Sequence, residues 1–298
     1  MSDTRVALFT ETNSLFGAPL FHRLLEHPDV DLTALVVREE GRLCDYYIDD
    51  DEQVDLADEG TKHGIRVLRP RDLESPDVLT ELQALEPDFF LVGNYQKLLR
   101  TPVLQIPRVD TINFHPSPLP KYAGLAPFYW MAAARETDGG VSAIRMNEAL
   151  DDGPIVAQQL LRLRGDETER EIRDRHFEAS WRLFDLVLPT LIDRSYRTVE
   201  QDPQERTYFG RPPIERHGTG RVRQLCLSLG YGSDWPNGGW SCRRAGPFHP
   251  TPTFLRTSSS STRASHTCPG TYPRTSTGRS LRCSARWAER SIGVRRRT

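Results

Sequence analysis

Cysteine is nearly missing from the part of the chain that carries a folding pattern. Cys44 is the only one before residue 200, and the other four, Cys226, Cys242, Cys268 and Cys283, form no CxxC pair. Neither a thiolate zinc site nor a disulfide framework is indicated. Long apolar runs are missing too; none approaches the ~20 residues that a membrane-spanning helix needs. Residues 1–5 lead straight into a strand-like stretch, with no charged region followed by an apolar one, so a soluble cytoplasmic protein is expected. No GxGxxG follows the first strand, and the dinucleotide fingerprint is therefore absent. Neither sign of charge is in large excess: the formal net charge is -2 over 298 residues, which argues against a generally nucleic-acid-seeking surface. That length allows one or two domains.

Two further scarcities divide the chain. No lysine occurs after Lys121, and beyond Gly210 the only acidic residues are Glu215, Asp234 and Glu289. Arg, Ser, Thr, Pro and Gly dominate there and apolar periodicity is lost. Three readings fit residues 212–298: a disordered tail that buries too little apolar surface to offset chain entropy, an arginine-rich RNA-binding segment, or out-of-frame translation of a GC-rich coding sequence. Residues 1–211 are expected to be the catalytic domain.

Within residues 1–211, short apolar runs alternate with helical periodicity. Strands are expected at 6–10, 32–37, 65–68, 89–92 and 109–112, then at 141–146 and 155–163. Helices are expected between Gly17 and Pro28, with Leu20, Phe21, Leu24 and Leu25 on one face, and over 73–85 and 126–134. This strand–helix–strand order at short spacing predicts parallel βαβ units and an α/β, mostly parallel sheet. Asp166 with Glu169 resembles a capping box and opens a helix carrying Ile172, Ala179, Leu183 and Val187, which Pro189 ends or kinks. The acidic group Asp45, Asp49, Asp50, Asp51 and Glu52 matches no calcium-loop spacing and reads as a solvated loop and helix start.

The chemistry centres on Asn113-Phe114-His115-Pro116-Ser117-Pro118-Leu119-Pro120. Residues two apart on an extended backbone point to one face, so Asn113 and His115 project side by side from a strand's carboxyl end, where open α/β sheets place ligands. An amide N–H can stabilise a developing oxyanion. A carboxylate from the loop Leu150-Asp151-Asp152-Gly153-Pro154 can orient an imidazole and raise its basicity. Together these groups suit acyl transfer from a donor amide to an amine. A histidine after a strand also fits a satisfied structural role, and Asn and Asp-Gly are common in turns. Ser117 lies in no GxSxG elbow and suits loop shaping rather than nucleophilic attack.

The run Asn113-x-His115-x-Ser117-x-Leu119-Pro120-x-Tyr122-x-Gly124, followed after a helix and a strand by Leu150-Asp151-x-Gly153, resembles the folate-dependent formyltransferases. The likeness covers about residues 6–211. It implies a Rossmann-like formyltransferase domain that uses 10-formyltetrahydrofolate and no metal. By that resemblance Asn113 holds the formyl oxygen, His115 stabilises the oxyanion and relays a proton, and Asp151 orients His115 and assists deprotonation of the amine. Tyr95, Gln96, Lys97 and Leu98 match the segment lining the pterin pocket. Asn147, Glu148 and Leu150 form its other wall, and Ser117, Pro118, Leu119 and Pro120 shape the junction with the acceptor.

The acceptor is divided between branches of that family. Gly124-Leu125-Ala126-Pro127 is similar to both the methionyl-tRNA and the aminosugar enzymes. Residues 103–108 resemble the tRNA enzyme, whereas residues 153–158 and Tyr208-Phe209-Gly210-Arg211 resemble the aminosugar enzymes. Pro118 stands where the family usually has leucine, and the tRNA enzyme's carboxyl-terminal barrel is not recognisable. A nucleotide-linked aminosugar or related small amine is therefore the favoured partner, with tRNA the alternative. An inactive folate-binding remnant is the alternative of another class.

Overall fold

The computed structural model describes residues 3–44, 47 and 50–212. The readings placed on residues 213–298, and on Asp45 and Asp49, lie outside the described residues.

Seven strands form one sheet in the order β3-β2-β1-β4-β5-β7-β8. They are β1 (Thr4–Phe9), β2 (Val30–Val36), β3 (Val67–Leu68), β4 (Phe89–Val92), β5 (Asp110–His115), β7 (Asp138–Arg145) and β8 (Ile155–Arg162). The first five pair in parallel. β7 and β8 add an antiparallel edge, so the expected mostly parallel α/β sheet is present. A two-stranded parallel pair, β6 (Ala123–Gly124) with β9 (Tyr208–Phe209), stands apart from it. Nothing in the sequence pattern marks strands that short.

Period-2 alternation explains why the central strands are apolar throughout. In β1, Val6 and Leu8 enter one buried cluster while Ala7 and Phe9 enter the other; in β4, Phe89 and Leu91 divide from Phe90 and Val92 in the same way. A strand covered on both faces has no polar side to show. Helices α1 (Gly17–Glu26) and α6 (Glu169–Ile192) supply Leu20, Phe21, Leu24, Phe177, Leu183 and Phe184 to the first cluster. Helix α3 (Pro76–Ala84) supplies Leu82 to the second. Phe114 of β5 packs on Phe184 with ring centroids 5.2 Å apart, which turns Asn113 and His115 to the opposite face of β5.

Two sequence expectations are corrected, and a third is narrowed. The capping box of α6 is Thr168 with Glu171, not Asp166 with Glu169; only a residue immediately before the first helical turn reaches the third helical N–H. Of the two outcomes expected at Pro189, ending or kinking α6, the helix does not stop there but runs on to Ile192. A proline that close to the last turn forfeits a single ladder bond. Asp50 is not solvated: its carboxylate is nearly buried and grips Arg173 at 2.9 and 3.0 Å and Arg170 at 3.0 Å. The remaining helices are α2 (Leu56–Lys62), of which the sequence pattern marks only a helix start near Glu52, α4 (Thr101–Leu104) and α5 (Pro127–Ala134). No helix of the described residues is long and apolar enough to cross a membrane.

The strand order reverses at β1, the point at which open α/β sheets place a crevice. β1 runs on through α1 to β2 on one side, while its other neighbour, β4, comes later in the chain. At such a reversal the loops leaving the two carboxyl ends splay apart. Residues 10–16 leave β1, residues 93–100 leave β4, and residues 116–122 leave the adjacent β5.

Candidate active site

At the end of β5, His115 is nearly buried between an acid and a carbonyl. Its Nδ1 lies 3.5 Å from Asp151 Oδ1, and its Nε2 lies 3.3 Å from the Tyr122 carbonyl. Both contacts are long, as those of proton-handling pairs often are before a substrate tightens them. The Asn113 side chain, half-buried one pleat earlier, makes no hydrogen bond to another described residue. An amide donor left free beside a carboxylate–imidazole pair is what a carbonyl substrate needs.

Asp151 is fixed from several directions. Its Oδ2 accepts the Gly124 N–H at 2.8 Å. Its backbone is left-handed, φ +50°, a conformation that suits aspartate better than most residues. Gly153 makes that turn possible, because a Cβ there would lie 1.8 Å from the Arg145 carbonyl. Gly124 is equally obligatory: at φ +102° its Cβ would lie 2.2 Å from the Phe209 carbonyl.

The loop after β4 is pinned by its neighbours. The Gln96 N–H donates to Glu11 Oε1 at 2.7 Å, and Gln96 Nε2 to Cys44 Sγ at 3.2 Å. Lys97 Nζ turns away from the crevice, donating to the Pro70 and Arg71 carbonyls and pairing with Glu39 at 2.7 Å. Leu98 is half exposed, and Tyr95 carries a buried hydroxyl without a partner. Burial pushes the Tyr95 phenol up from its ordinary value. On the opposite side, Asn147, Glu148 and Leu150 are exposed. Asn147 Oδ1 accepts the Ala149 N–H, and Glu148 accepts the Thr101 hydroxyl, joining the loop after β7 to α4.

Ser117, Pro118 and Leu119 are buried and shape the loop. Ser117 Oγ donates to the Lys121 carbonyl at 2.9 Å, the Leu119 N–H donates to Ser142 Oγ at 3.1 Å, and Pro118 packs against Gly140. The Pro120 carbonyl accepts the Thr207 N–H. The structure thus gathers His115 and Asp151 directly, with Asn113 on the same strand face. Segments 95–98 and 117–120 follow β4 and β5 at one end of the sheet, whereas 147–150 follows the antiparallel β7, whose last residues pair near the start of β5, and the turn at Asp151 reaches back to His115.

Glu11 has no counterpart among the residues picked out from the sequence. Its side chain is fully buried after β1; Arg38 Nη1 is 3.6 Å from Oε1, and Oε2 has no partner. Burial pushes its carboxyl up to about 7, opposed by the Gln96 N–H and the Arg38 charge. A glutamate within the polar run Thr10-Glu11-Thr12-Asn13-Ser14 carries no sign of burial, so no sequence signal could have found it. Among the described residues, no group of three or more His, Cys, Asp or Glu side chains is placed to hold a metal.

Comparison with known proteins follows the same outline. Methionyl-tRNA formyltransferase of Chloroflexus aggregans is 36% identical over 145 residues, which are 49% of this chain and 47% of that protein. The chain spans about half the length of the curated relatives it matches. Among solved structures, an N-formyltransferase from Helicobacter canadensis in complex with folinic acid and dTDP-3-aminofucose is 18% identical, with a TM-score of 0.56 over 77% of this chain and 81% of its own. Phosphoribosylglycinamide formyltransferase from Anaplasma phagocytophilum is 15% identical, with a TM-score of 0.57 over 70% and 99%; at such identities the likeness is one of fold. Residues 4–188 match the family described as Formyl transferase, and with more than half of its length inside that match, this chain belongs to the formyl transferase family.

Proposed function

We propose that this protein transfers a formyl group from 10-formyltetrahydrofolate to a primary amine. The observation that carries the reading is the His115–Asp151 pair beside the unengaged Asn113 amide. Residues of the loops after β4 and β7 fit a folate: Leu98 and Leu150 are partly exposed and supply apolar surface. When bound, 10-formyltetrahydrofolate supplies the one-carbon unit as an activated amide.

The chain's own residues then divide the work. Asn113 donates its N–H to the formyl oxygen as negative charge builds there, an interaction realised mainly in the transition state. His115 supports the same charge and moves a proton toward the leaving nitrogen. Asp151 holds the ring's Nδ1 side and assists removal of a proton from the attacking amine. Ser117, Pro118, Leu119 and Pro120 shape the junction with the acceptor, and Asn147, Glu148 and Leu150 flank the folate.

For the acceptor we favour a nucleotide-linked aminosugar or a related small amine. The Tyr208–Phe209 strand is laid beside Gly124 at the edge of the site, and its sequence is of the aminosugar type. Initiator methionyl-tRNA is the second reading, supported by the 36% identity to a tRNA enzyme. Purified protein offered 10-formyltetrahydrofolate and a panel of amines should yield a product heavier by one formyl group, detected by mass. Folate binding with no transfer to an aminosugar nucleotide, to methionyl-tRNA or to glycinamide ribonucleotide would instead make this chain a folate-binding remnant.

A further inference from the structure

We propose that residues 199–209 form a strap that sets the distance between His115 and Asp151, with Arg206 and Thr207 as positioning residues. The proposal rests on the formyl-transfer reading of that pair. Arg206 grips three successive residues of the Asp151 turn. Its guanidinium donates to the Leu150 carbonyl at 2.5 Å and the Asp151 carbonyl at 3.0 Å, and pairs with Asp152 at 3.2 Å. Gln201 adds bonds to the Asp151 and Gly153 carbonyls at 3.0 and 2.8 Å.

Thr207, the next residue, grips the other flank of the imidazole. Its hydroxyl accepts the Tyr122 N–H at 2.8 Å, its carbonyl accepts the Ala123 N–H at 3.0 Å, and its N–H donates to the Pro120 carbonyl at 3.1 Å. Tyr122 supplies the carbonyl that faces His115 Nε2. Two adjacent residues therefore hold the two groups between which the ring sits, and neither touches His115 or Asn113.

The need for such a strap lies in the backbone. Tyr122 and Asp151 both have left-handed φ, +58° and +50°. Non-glycine residues keep that conformation only where the surroundings over-determine it. Flat planar forks like guanidinium suit this task, because one side chain can satisfy several acceptors in fixed geometry. The strap itself is anchored at both ends. Val199 exchanges two backbone hydrogen bonds with Ile155, at 2.8 and 2.9 Å. Phe209 stacks on Tyr122 and Trp130 at 5.1 and 5.2 Å.

The test uses the full chain with Arg206→Ala, Thr207→Val and the conservative Thr207→Ser, each checked for cooperative unfolding; Arg206→Gln replaces Arg206→Ala should the latter fail to fold. A displacement of ~1 Å near the chemistry costs up to ~10²-fold, so kcat should fall by about 10- to 100-fold in the first two variants while KM for each substrate stays within about threefold. Thr207→Ser should restore most of the loss. Hydrogen exchange at the Gly124 amide, which is bonded to Asp151 Oδ2, should quicken at least about tenfold in Arg206→Ala. A raised KM with intact kcat, or unchanged turnover, would overturn the strap. If wild-type protein transfers nothing to any amine, the formyl-transfer reading fails on its own, and unchanged Gly124 exchange would separately overturn the strap.

Discussion

The two sides of the crevice are built on opposite plans. On the β5 side the proposed catalytic pair is held, Asp151 through both carboxylate oxygens and its carbonyl, while the Asn113 amide, Thr111 Oγ1 and Gln201 Oε1 are without partners. On the β1 and β4 side, buried polar atoms stand without partners: Thr10 Oγ1, Thr12 Oγ1, Glu11 Oε2 and the Tyr95 hydroxyl. A fully partnered network is rigid and specifies one geometry. A buried group left unmatched costs stability until something binds it. The contrast separates a side organised for moving charge from a side with unspent hydrogen-bonding capacity.

The comparison can be broken most severely at β5. His115→Ala should reduce turnover by about 10²–10⁴-fold, and Asn113→Ala by about 10²–10³-fold, both with cooperative unfolding retained. Steady-state kinetics with the acceptor identified by mass provide the check, and near-normal turnover of His115→Ala would contradict the proton-handling role.

The next effect is on stability and belongs to Glu11. Its folded carboxyl titrates at about 7 rather than 4.5. The folded state therefore keeps a proton that the unfolded state gives up across that window. Stability falls as pH rises from about 4.5 to 7 and stays reduced above it, by roughly 3 kcal/mol at most. Glu11→Gln should be more stable than wild type at pH 8 and nearly equal to it at pH 4.5. His176 works in the opposite direction. Burial pushes its imidazole down to about 4, so stability is lost as pH falls from 6.5 to 4. The wild-type profile mixes the two slopes, and the difference between wild type and variant, measured by denaturant unfolding, is the informative quantity. A gain of equal size at both pH values would remove titration of Glu11 as its cause.

The smallest effect sharpens the contrast further. Tyr95→Phe removes a buried hydroxyl that has no partner and should raise stability by up to about 1–2 kcal/mol. If that hydroxyl meets the folate, KM for 10-formyltetrahydrofolate rises while kcat holds. Loss of stability in Tyr95→Phe would show that the hydroxyl is already satisfied.

Much of this architecture is legible in the chain itself. The strand at Phe89–Val92 agrees with its apolar run residue for residue, because a strand buried on both faces leaves no ambiguity of period. The placing of Asn113 and His115 on one face follows from the same two-residue repeat. Boundaries set by weaker signals shifted: two overlapping Asp/Thr-x-x-Glu frames compete at the start of α6, and only the helix's actual first turn decides between them. The acidic stretch before α2 resembles a solvated loop, yet Arg173 and Arg170, more than a hundred residues away, draw Asp50 inward.

The sequence alone determined the strand periods, the family motif and the residue types able to handle a formyl group, because these depend on local spacing. Tertiary structure decided that Glu11 is buried and that Arg206 and Thr207 brace both flanks of the site, and it brings Asp151, already named by the resemblance, to 3.5 Å from the imidazole. Those are contacts between segments 27 to 85 residues apart, and a chain's local pattern cannot encode which distant groups lose their water together.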